Sequence, residues 1–295
     1  MKFKKLIFLL GMLGLSSLVM AKDSKPLKVL IVNDDGCRSF GTVELQKQLL
    51  SKGMDAWIVA PATNQSGIGS AITMKKEPFT YHVEGDRHYC FPGTPADALD
   101  FGLLGILRDA PPDLVISGVN DGPNTGVAQI NSGTVGAAVR AIRYGYPALA
   151  VSIGWNTDEL IAFKGFPSTE KYWPDSVEYT VNMVSTLAQN WDRKSPLLPA
   201  GTGLSINYPA YSKSEILGVK YIGNEKFPPA QHFYKLLDNN QTIQEFNPEV
   251  LKVDENDTDT GWLHKKYITY TIIDGDWNAL GYEKQYRQLL DGVSE

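Results

Sequence analysis

The stretch KVLIVNDDG occupies residues 28–36 and passes directly from an apolar run into a polar turn. The run Lys28 to Val32 has the length and the branched apolar content of a buried strand. Thr42 to Lys52 follows with helical periodicity, and Ala56 to Ala60 is a second apolar run. A strand, a helix and a strand in this order indicate a parallel sheet that is covered by helices.

The same alternation continues along most of the chain. Further predicted strands are Phe79 to Val83, His88 to Phe91, Leu114 to Ser117, Ala148 to Ser152, Leu204 to Asn207 and Tyr267 to Ile273, and further predicted helices are Pro95 to Leu107, Thr134 to Tyr144, Asp175 to Trp191 and Tyr282 to Leu290. A long polar loop is predicted between residues 117 and 133. We predict an α/β fold with one domain over residues 22–295, in which residues 211–295 form a β-rich C-terminal extension.

Residues 1–21 have the features of a secretory signal peptide. Lys2, Lys4 and Lys5 precede an apolar run over residues 6–20, and Ala21 is a small residue at the expected cleavage point. We expect cleavage after Ala21 and a periplasmic or secreted protein. The run is shorter than the roughly 20 residues that span a bilayer, so we expect no stable membrane anchor, a retained anchor being the alternative.

The charge of the chain argues against nucleic acid polymers as partners. The net charge is −5, and loss of the three N-terminal lysines makes it more negative. An acidic protein binds polyanions poorly without local positive charge. A bound metal ion would supply such a charge for an anionic substrate.

Three polar loops follow predicted strands, at the sheet edge where open α/β folds bind ligands. They are NDDG at residues 33–36, PATNQSG at residues 61–67 and GVNDGPN at residues 118–124. Adjacent carboxylates repel each other, and a divalent cation removes that conflict. Oxygen ligands of this kind suit Mg²⁺ or Mn²⁺ better than Zn²⁺. Asp34 as a helix cap with Asp35 solvated is the alternative that the first loop alone would favour.

A predicted helix opens at Ser132-Gly133-Thr134. The free N–H groups and the dipole of a helix start favour a phosphate. A plain N-cap by Ser132 is the alternative, and the two roles are compatible.

Several other chemistries are disfavoured. The chain has no G-x-S-x-G elbow and no phosphate-binding P-loop. The histidines His82, His88, His232 and His264 show no paired metal spacing and are expected to be surface or structural residues.

Two further groups of residues allow more than one structural interpretation. Cys37 and Cys90 are expected to be buried free thiols, although an exported protein can keep a disulfide. An aromatic group is expected to serve local packing or subunit contacts rather than base stacking. Its members are Trp155, Phe166, Tyr172 and Trp173.

The loops and their order resemble the SurE family of survival-protein 5′/3′-nucleotidases. The matching stretches are VLIVNDDG at 29–36, VAP at 59–61 with NQSG at 64–67, GTPAD at 93–97, SGVNDGPN at 117–124, SGTVGAA at 132–138 and PALAVS at 147–152. The resemblance implies a Rossmann-like, mostly parallel sheet with helices on both faces and a metal-dependent phosphomonoesterase acting on nucleoside monophosphates.

The resemblance also implies roles for individual residues. Mapped onto this sequence, the ligands of one divalent metal ion are Asp34, Asp35, Ser66 and Asn120, and the phosphate site is lined by Asn124, Ser132, Gly133 and Thr134. Either Asp34 or Asp35 would double as the general base. The family commonly forms dimers or tetramers through a C-terminal hairpin, which corresponds here to residues 211–273.

Some positions depart from the family pattern. Cys37-Arg38-Ser39-Phe40 replaces a His-Ala-Pro-type stretch, Val127 and Ala128 replace acidic residues, and Asn131 replaces a tyrosine. A signal peptide is also unusual in this family. The alternatives to a nucleotidase are therefore a broad acid phosphatase and a periplasmic protein that binds nucleotide or phosphate without turnover.

Overall fold

The computed structural model describes residues 25–162, 165–224, 232–247, 257–276, 278 and 281–289. The predicted signal peptide, residues 1–21, lies outside this part of the chain. Among the described residues, no helix combines the length and the apolar character that crossing a membrane requires.

Eleven strands and eight α-helices are assigned within the described residues. The strands are β1 (Lys28–Val32), β2 (Asp55–Pro61), β3 (His82–Gly85), β4 (His88–Phe91), β5 (Leu114–Asp121), β6 (Ala148–Ile153), β7 (Gly203–Tyr208), β8 (Gly218–Tyr221), β9 (His232–Leu236), β10 (Thr242–Phe246) and β11 (Tyr267–Ile273). The helices are α1 (Phe40–Ser51), α2 (Pro95–Phe101), α3 (Ala128–Asn131), α4 (Gly133–Arg143), α5 (Thr157–Ala162), α6 (Pro167–Asn190), α7 (Asp259–His264) and α8 (Glu283–Leu289). A π-helical turn, Gly102–Ile106, continues α2.

Nine strands form one mixed sheet in the order β3-β4-β2-β1-β5-β6-β7-β11-β8. The pairs from β4 to β7 are all parallel, whereas β3 runs antiparallel to β4, and β11 runs antiparallel to β7. The predicted α/β class with a mostly parallel sheet is thus confirmed. The C-terminal extension contributes β8 and β11 to this sheet.

The two faces of the sheet carry separate apolar cores. Val29 and Ile31 of β1 pack on the side of α1 and α6, whereas Leu30 and Val32 pack on the side of α2 and α4. Every residue of β1 is buried because both faces are covered. This explains why the strand is an unbroken apolar run rather than an alternating one.

Three elements differ most from their predicted bounds. Strand β3 covers His82–Gly85, where Phe79 to Val83 was predicted. β5 continues to Asp121, so Asn120 and Asp121 belong to the strand and not to a loop. The segment before residue 133 also contains the short helix α3. Helix α6 begins at Pro167 and runs through Pro174, where a start after Pro174 was predicted. Its first turns are held to the sheet edge, because Thr169 Oγ1 donates to Gly154 O at 2.9 Å.

The expectation of free thiols is wrong, because Cys37 and Cys90 form a disulfide with their α-carbons 5.4 Å apart. Cys37 lies in the loop after β1 and Cys90 lies in β4, and both are next to the carboxyl end of β2. Cys90 pairs with Ala60 across β2 and β4, and the Cys37 N–H donates to Pro61 O at 2.7 Å. The sheet order thus joins two residues that are 53 positions apart in sequence, which spacing alone does not reveal.

The C-terminal extension also contains a separate two-stranded hairpin of β9 and β10. All five residues of β9 are exposed, among them Phe233, Tyr234 and Leu236. The hairpin therefore presents apolar side chains without a covering element among the described residues.

Candidate metal and phosphate site

The site lies where the strand order reverses. The chain passes from β1 to β2 on one side and later returns to place β5 on the other side of β1. The carboxyl ends of β1 and β5 therefore border a crevice, which is the usual ligand position in open α/β sheets. Residues 33–36 leave β1 here, and Asn120 and Asp121 end β5 at the same edge.

Asp34 is buried against the start of α4. Its Oδ2 accepts the N–H of Gly133 at 3.1 Å, and its Oδ1 accepts the Thr134 hydroxyl at 2.5 Å. A Cβ on Gly133 would come within 2.8 Å of Asp34 Cβ, so only glycine allows this approach. The expected alternative of Asp34 as a cap of the helix that follows it does not occur, since α1 begins at Phe40 and Ser39 is its N-cap residue.

Asp35 is less buried than Asp34 and faces the end of β5. Its Oδ2 accepts the Asn33 side-chain amide at 2.7 Å and the backbone N–H of Asp121 at 2.8 Å. These bonds connect the loop after β1 to the last residue of β5. The two predicted metal-binding loops therefore meet through Asp35.

The Thr134 hydroxyl is surrounded by three side-chain oxygens, two from the loop after β1 and one from β5. It lies 2.5 Å from Asp34 Oδ1, 2.9 Å from Asn33 Oδ1 and 3.0 Å from Asn120 Oδ1. A hydroxyl has one hydrogen to donate, so it satisfies one of these three acceptors at a time. Asn33 Oδ1 also accepts the Asp34 N–H at 2.9 Å, and Asp34 Oδ2 accepts the Gly133 N–H, so a cluster of buried oxygen acceptors shares a small number of donors.

Burial opposes the charge of both aspartates. Removal from water raises the pKa of Asp34, and the hydrogen bonds from Thr134 and Gly133 lower it only in part. Burial raises the pKa of Asp35 to about 7, and the charges of Asp34 and Asp121 contribute to the increase. The groups that act most strongly on Asp35 include no cation.

These observations fit a divalent cation. Clustered carboxylate and amide oxygens, with raised pKa values at two aspartates, form a donor set that a hard cation would neutralise. A site made of oxygens alone favours Mg²⁺ or Mn²⁺ over Zn²⁺. The cluster consists of Asn33, Asp34, Asp35, Asn120 and Thr134. Asn33 was not among the predicted ligands, and Thr134 was predicted to face phosphate.

Ser66 stands apart from this oxygen cluster. It is exposed, and its backbone N–H donates to Asn64 Oδ1 at 2.8 Å. Its loop is nevertheless attached to the site on both sides. The Gln65 N–H donates to Asp34 O at 2.7 Å, and the Gly69 N–H donates to Asn131 O at 2.9 Å. Within the described residues, no hydrogen bond joins the Ser66 side chain to either aspartate.

The predicted phosphate residues border the cluster on its other side. Ser132 is the N-cap of α4, where its Oγ accepts the Val135 N–H at 3.0 Å. The Gly133 N–H was expected to be free for a phosphate, but it donates to Asp34. The Asn124 side-chain amide donates to Ser152 Oγ at 2.9 Å. The start of α4 and the Asn124 loop therefore both adjoin the oxygen cluster.

Comparison with known proteins identifies the family. The family model "Survival protein SurE" matches residues 29–227. A relative named 5′-nucleotidase SurE 1 from Burkholderia lata is 31% identical over 202 residues, which cover 68% of this chain and 71% of the relative. Another, named 5′-nucleotidase SurE, from Nitratidesulfovibrio vulgaris, is 36% identical over 197 residues, which cover 65% of each chain. This chain belongs to the SurE family.

A solved structure of the SurE family has the same fold. The SurE protein from Aquifex aeolicus matches with a TM-score of 0.73 and 28% identity, covering 89% of this chain and 99% of that one. The third motif that this chain shares with the SurE family, residues 93–97, forms a capping box. Thr94 Oγ1 accepts the Asp97 N–H, and Asp97 Oδ2 accepts the Thr94 N–H. That motif therefore begins α2.

The aromatic residues largely serve local packing, as expected. Trp155 and Phe166 stack on each other with ring centroids 4.7 Å apart. The Trp173 indole donates to Val119 O at 3.0 Å. His88 contacts the carbonyl oxygen of Cys37, and the group Cys37, His88 and Cys90 offers no thiolates because the cysteines form the disulfide.

Three buried residues around the Asn124 loop were not predicted. Ser152 and Asn207 lie in β6 and β7, and their contact with this loop follows from the sheet order. A polar residue at the carboxyl end of an apolar strand was the available signal for Asn207. Asp259 gave no signal, because its partner Gly126 is 133 positions away.

Proposed function

We propose that this chain is a metal-dependent phosphomonoesterase that hydrolyses nucleoside 5′- or 3′-monophosphates to nucleoside and phosphate. The observation that carries the proposal is the cluster of buried carboxylate and amide oxygens around Thr134, next to a helix N-terminus. Membership of the SurE family and the 5′-nucleotidase names of its relatives support hydrolysis of phosphoric monoesters.

The proposed ligands are Asp34, Asp35, Asn120 and Ser66. The first three bring side-chain oxygens to one edge of the sheet, and Ser66 belongs to a loop that is hydrogen-bonded to Asp34. A divalent ion such as Mg²⁺ or Mn²⁺ would supply charge neutralisation and an activated water. Thr134 donates to the carboxylate of Asp34 and Asn33 donates to the carboxylate of Asp35, so these two side chains would orient the proposed ligands.

The predicted phosphate residues would line the phosphate, Thr134 in addition to its bond to Asp34. Asn124, Ser132, Gly133 and Thr134 lie at the start of α4 or in the loop before it, where the helix dipole favours negative charge. One of the two aspartates would also accept the proton of the attacking water. Oxygen ligands and a helix start together provide what phosphoryl transfer needs most, which is positioning and charge stabilisation.

A phosphate-release assay on a panel of nucleotides tests the proposal. We expect turnover of nucleoside monophosphates with Mg²⁺ or Mn²⁺ and none in excess chelator. Equal rates on nucleotides and on simple phosphate esters would indicate a broad phosphatase instead. Tight nucleotide binding without phosphate release, at any metal concentration tried, would indicate a binding protein.

We propose further that the protein is exported and works as one domain over residues 22–295. A disulfide persists in oxidising compartments and is rare in the cytosol, which supports a periplasmic or secreted location. Mass spectrometry of the protein purified from its host should find Lys22 as the first residue. An intact N-terminus in the soluble fraction would contradict export.

The assembly is proposed to be a homodimer or a homotetramer. The exposed apolar side chains of β9 support an interface through the β9–β10 hairpin. Light scattering of the mature protein, compared with a variant in which Tyr234 and Leu236 are replaced by serine, measures the assembly directly. A monomer at micromolar concentration would contradict this proposal.

A further inference from the structure

Residues 122–131, which we call the phosphate loop, connect β5 to the start of α4. The loop carries Asn124 and ends next to Ser132. Its own hydrogen bonds are short-range turns, such as Ala128 N–H to Thr125 O at 3.0 Å and Ile130 N–H to Val127 O at 3.1 Å. Such turns shape the loop but do not fix where it lies on the sheet. Its position therefore depends on contacts from other elements.

Asn207 of β7 binds the backbone of Asn124 on both sides. Its Oδ1 accepts the Asn124 N–H at 2.7 Å, and its Nδ2 donates to Asn124 O at 3.1 Å. The carboxamide thus takes the place of a neighbouring peptide group. Asn207 is fully buried, so water cannot replace either bond.

Asp259 of α7 holds the loop two residues further along. Its Oδ2 accepts the Gly126 N–H at 2.9 Å, and the carboxylate is fully buried. A third contact is the reciprocal amide pair of Gln129 and Asn224, at 2.8 and 3.0 Å. Asp259 lies beyond residue 227, where the match to the family model ends.

We propose that Asn207 and Asp259 are positioning residues that hold the phosphate loop, so that Asn124 and the start of α4 meet the phosphate of the substrate. This inference rests on the proposed function. It assigns a role in the site to the C-terminal extension, which supplies Asp259. Neither residue is proposed to touch the substrate.

The direction of the change in phosphate affinity distinguishes a positioning role of Asp259 from a purely electrostatic one. Asp259→Asn keeps the shape of the side chain but removes a negative charge from the neighbourhood of an anion site. Charge alone would then strengthen phosphate binding. A displaced loop would weaken it, because small misplacements of binding groups are costly.

The test uses the full mature chain with Mn²⁺ and three variants. Asn207→Ala removes both bonds to Asn124, and Asp259→Asn is the milder second variant. Thr269→Val is the matched control, since Thr269 pairs with Asn207 across β7 and β11 and its buried hydroxyl has no hydrogen-bond partner among the described residues. Calorimetry measures inorganic phosphate and Mn²⁺ binding, steady-state kinetics give KM and kcat, and hydrogen exchange reports on the phosphate loop.

We expect both variants to bind inorganic phosphate at least about tenfold more weakly and to raise KM, as loop displacement predicts. The amides of residues 124 and 126 should exchange faster, whereas Mn²⁺ affinity should fall less than phosphate affinity, because Asp34 and Asp35 belong to another loop and, among the proposed metal ligands, only Asn120 is bonded to the phosphate loop, through Gly122. Thr269→Val should match the wild type in every measurement.

Three results would overturn the inference. They are unchanged phosphate affinity in a folded Asp259→Asn chain, tighter phosphate binding in that chain, and unchanged exchange of residues 124 and 126 in both variants. Failure of the proposed function looks different, because the wild type itself would then neither bind phosphate nor hydrolyse a monoester. Even if the proposed function fails, hydrogen exchange would show whether Asn207 and Asp259 hold the phosphate loop.

Discussion

The two ends of the parallel sheet differ in how the charges of their acidic residues are balanced. At the amino end, Asp55 at the start of β2 lies 2.9 Å from Arg87 Nε and 3.6 Å from Lys28 Nζ. At the carboxyl end, the charges of Asp34 and Asp121 help to raise the pKa of Asp35, and no cationic side chain is among the groups that act most strongly on Asp35. Cationic side chains balance the negative charge of Asp55 at the amino end, whereas no salt bridge within the described part of the chain reaches these acidic residues at the carboxyl end.

This difference shows which end is built for a ligand. An acidic residue that is paired with cationic side chains of the same chain, such as Asp55, needs no external partner. Its ion pairs contribute modestly to stability. Buried carboxylates without a cationic partner cost stability unless something from outside neutralises them. We therefore propose that the carboxyl end binds a cation, and the following predictions compare the two ends.

The largest effect is expected for Asp34→Asn at the carboxyl end. The change removes charge with little change in shape, and we expect turnover to fall on the order of 10²-fold or more. Kinetics with a nucleoside monophosphate in saturating Mn²⁺ measure the loss. Ser66→Ala should cost less, because water can replace a neutral ligand. Near-normal turnover in both Asp34→Asn and Asp35→Asn would place the metal site elsewhere.

The next effect concerns the pH dependence of stability without metal. Because the pKa of Asp35 is raised to about 7 in the folded chain, the folded state binds this proton more tightly than the unfolded state does. The contribution of this bound proton to the free energy of unfolding is fully present below the ordinary pKa of an aspartate, near 3.8, and is lost as the pH rises to about 7. In chelator, the urea midpoint of the wild type should therefore fall between pH 5 and pH 8.

The control for this prediction is Asp35→Asn, which cannot titrate at this position. The urea midpoints of the wild type and the variant should lie closer together at pH 5. At pH 8 they should lie further apart, and the variant should have the higher midpoint. Mn²⁺ should reverse that order at pH 8. A difference that does not change with pH would mean that Asp35 keeps an ordinary pKa.

The smallest effect is expected for Asp55→Asn at the amino end. Its ion pairs are partly exposed, with a quarter of the Asp55 side chain accessible, so their loss should cost about 0.2–1 kcal/mol of the free energy of unfolding. Turnover and metal affinity should not change. A large loss of activity in a folded chain would show that the two ends are coupled.

Much of the carboxyl end could be predicted from the sequence. Asp34 and Asp35 follow an apolar strand directly, and the rule that parallel strands open their carboxyl ends to ligands brings Asn120 to the same edge. Local patterns and the order of strands were sufficient for this. The bounds of β5 were not predicted, because Asn120 and Asp121 have polar side chains and strand periodicity gives them no signal.

Contacts between distant parts of the chain could not be predicted from the sequence patterns. The Cys37–Cys90 disulfide depends on β4 lying beside β2, and the contact of Asp259 with Gly126 depends on where α7 packs. The bond from Gly133 to Asp34 also follows from the approach of α4 and not from either loop alone. Such contacts result from tertiary packing and leave no periodic signal.

Calorimetric titration of metal-free protein with Mn²⁺ tests the central claim most directly, since it measures the cation at the carboxyl end without depending on the substrate. The wild type and Asp55→Asn should each bind one ion per chain with equal affinity. The double variant Asp34→Asn, Asp35→Asn should lose this binding while remaining folded. Equal Mn²⁺ binding by the double variant and the wild type would contradict the account.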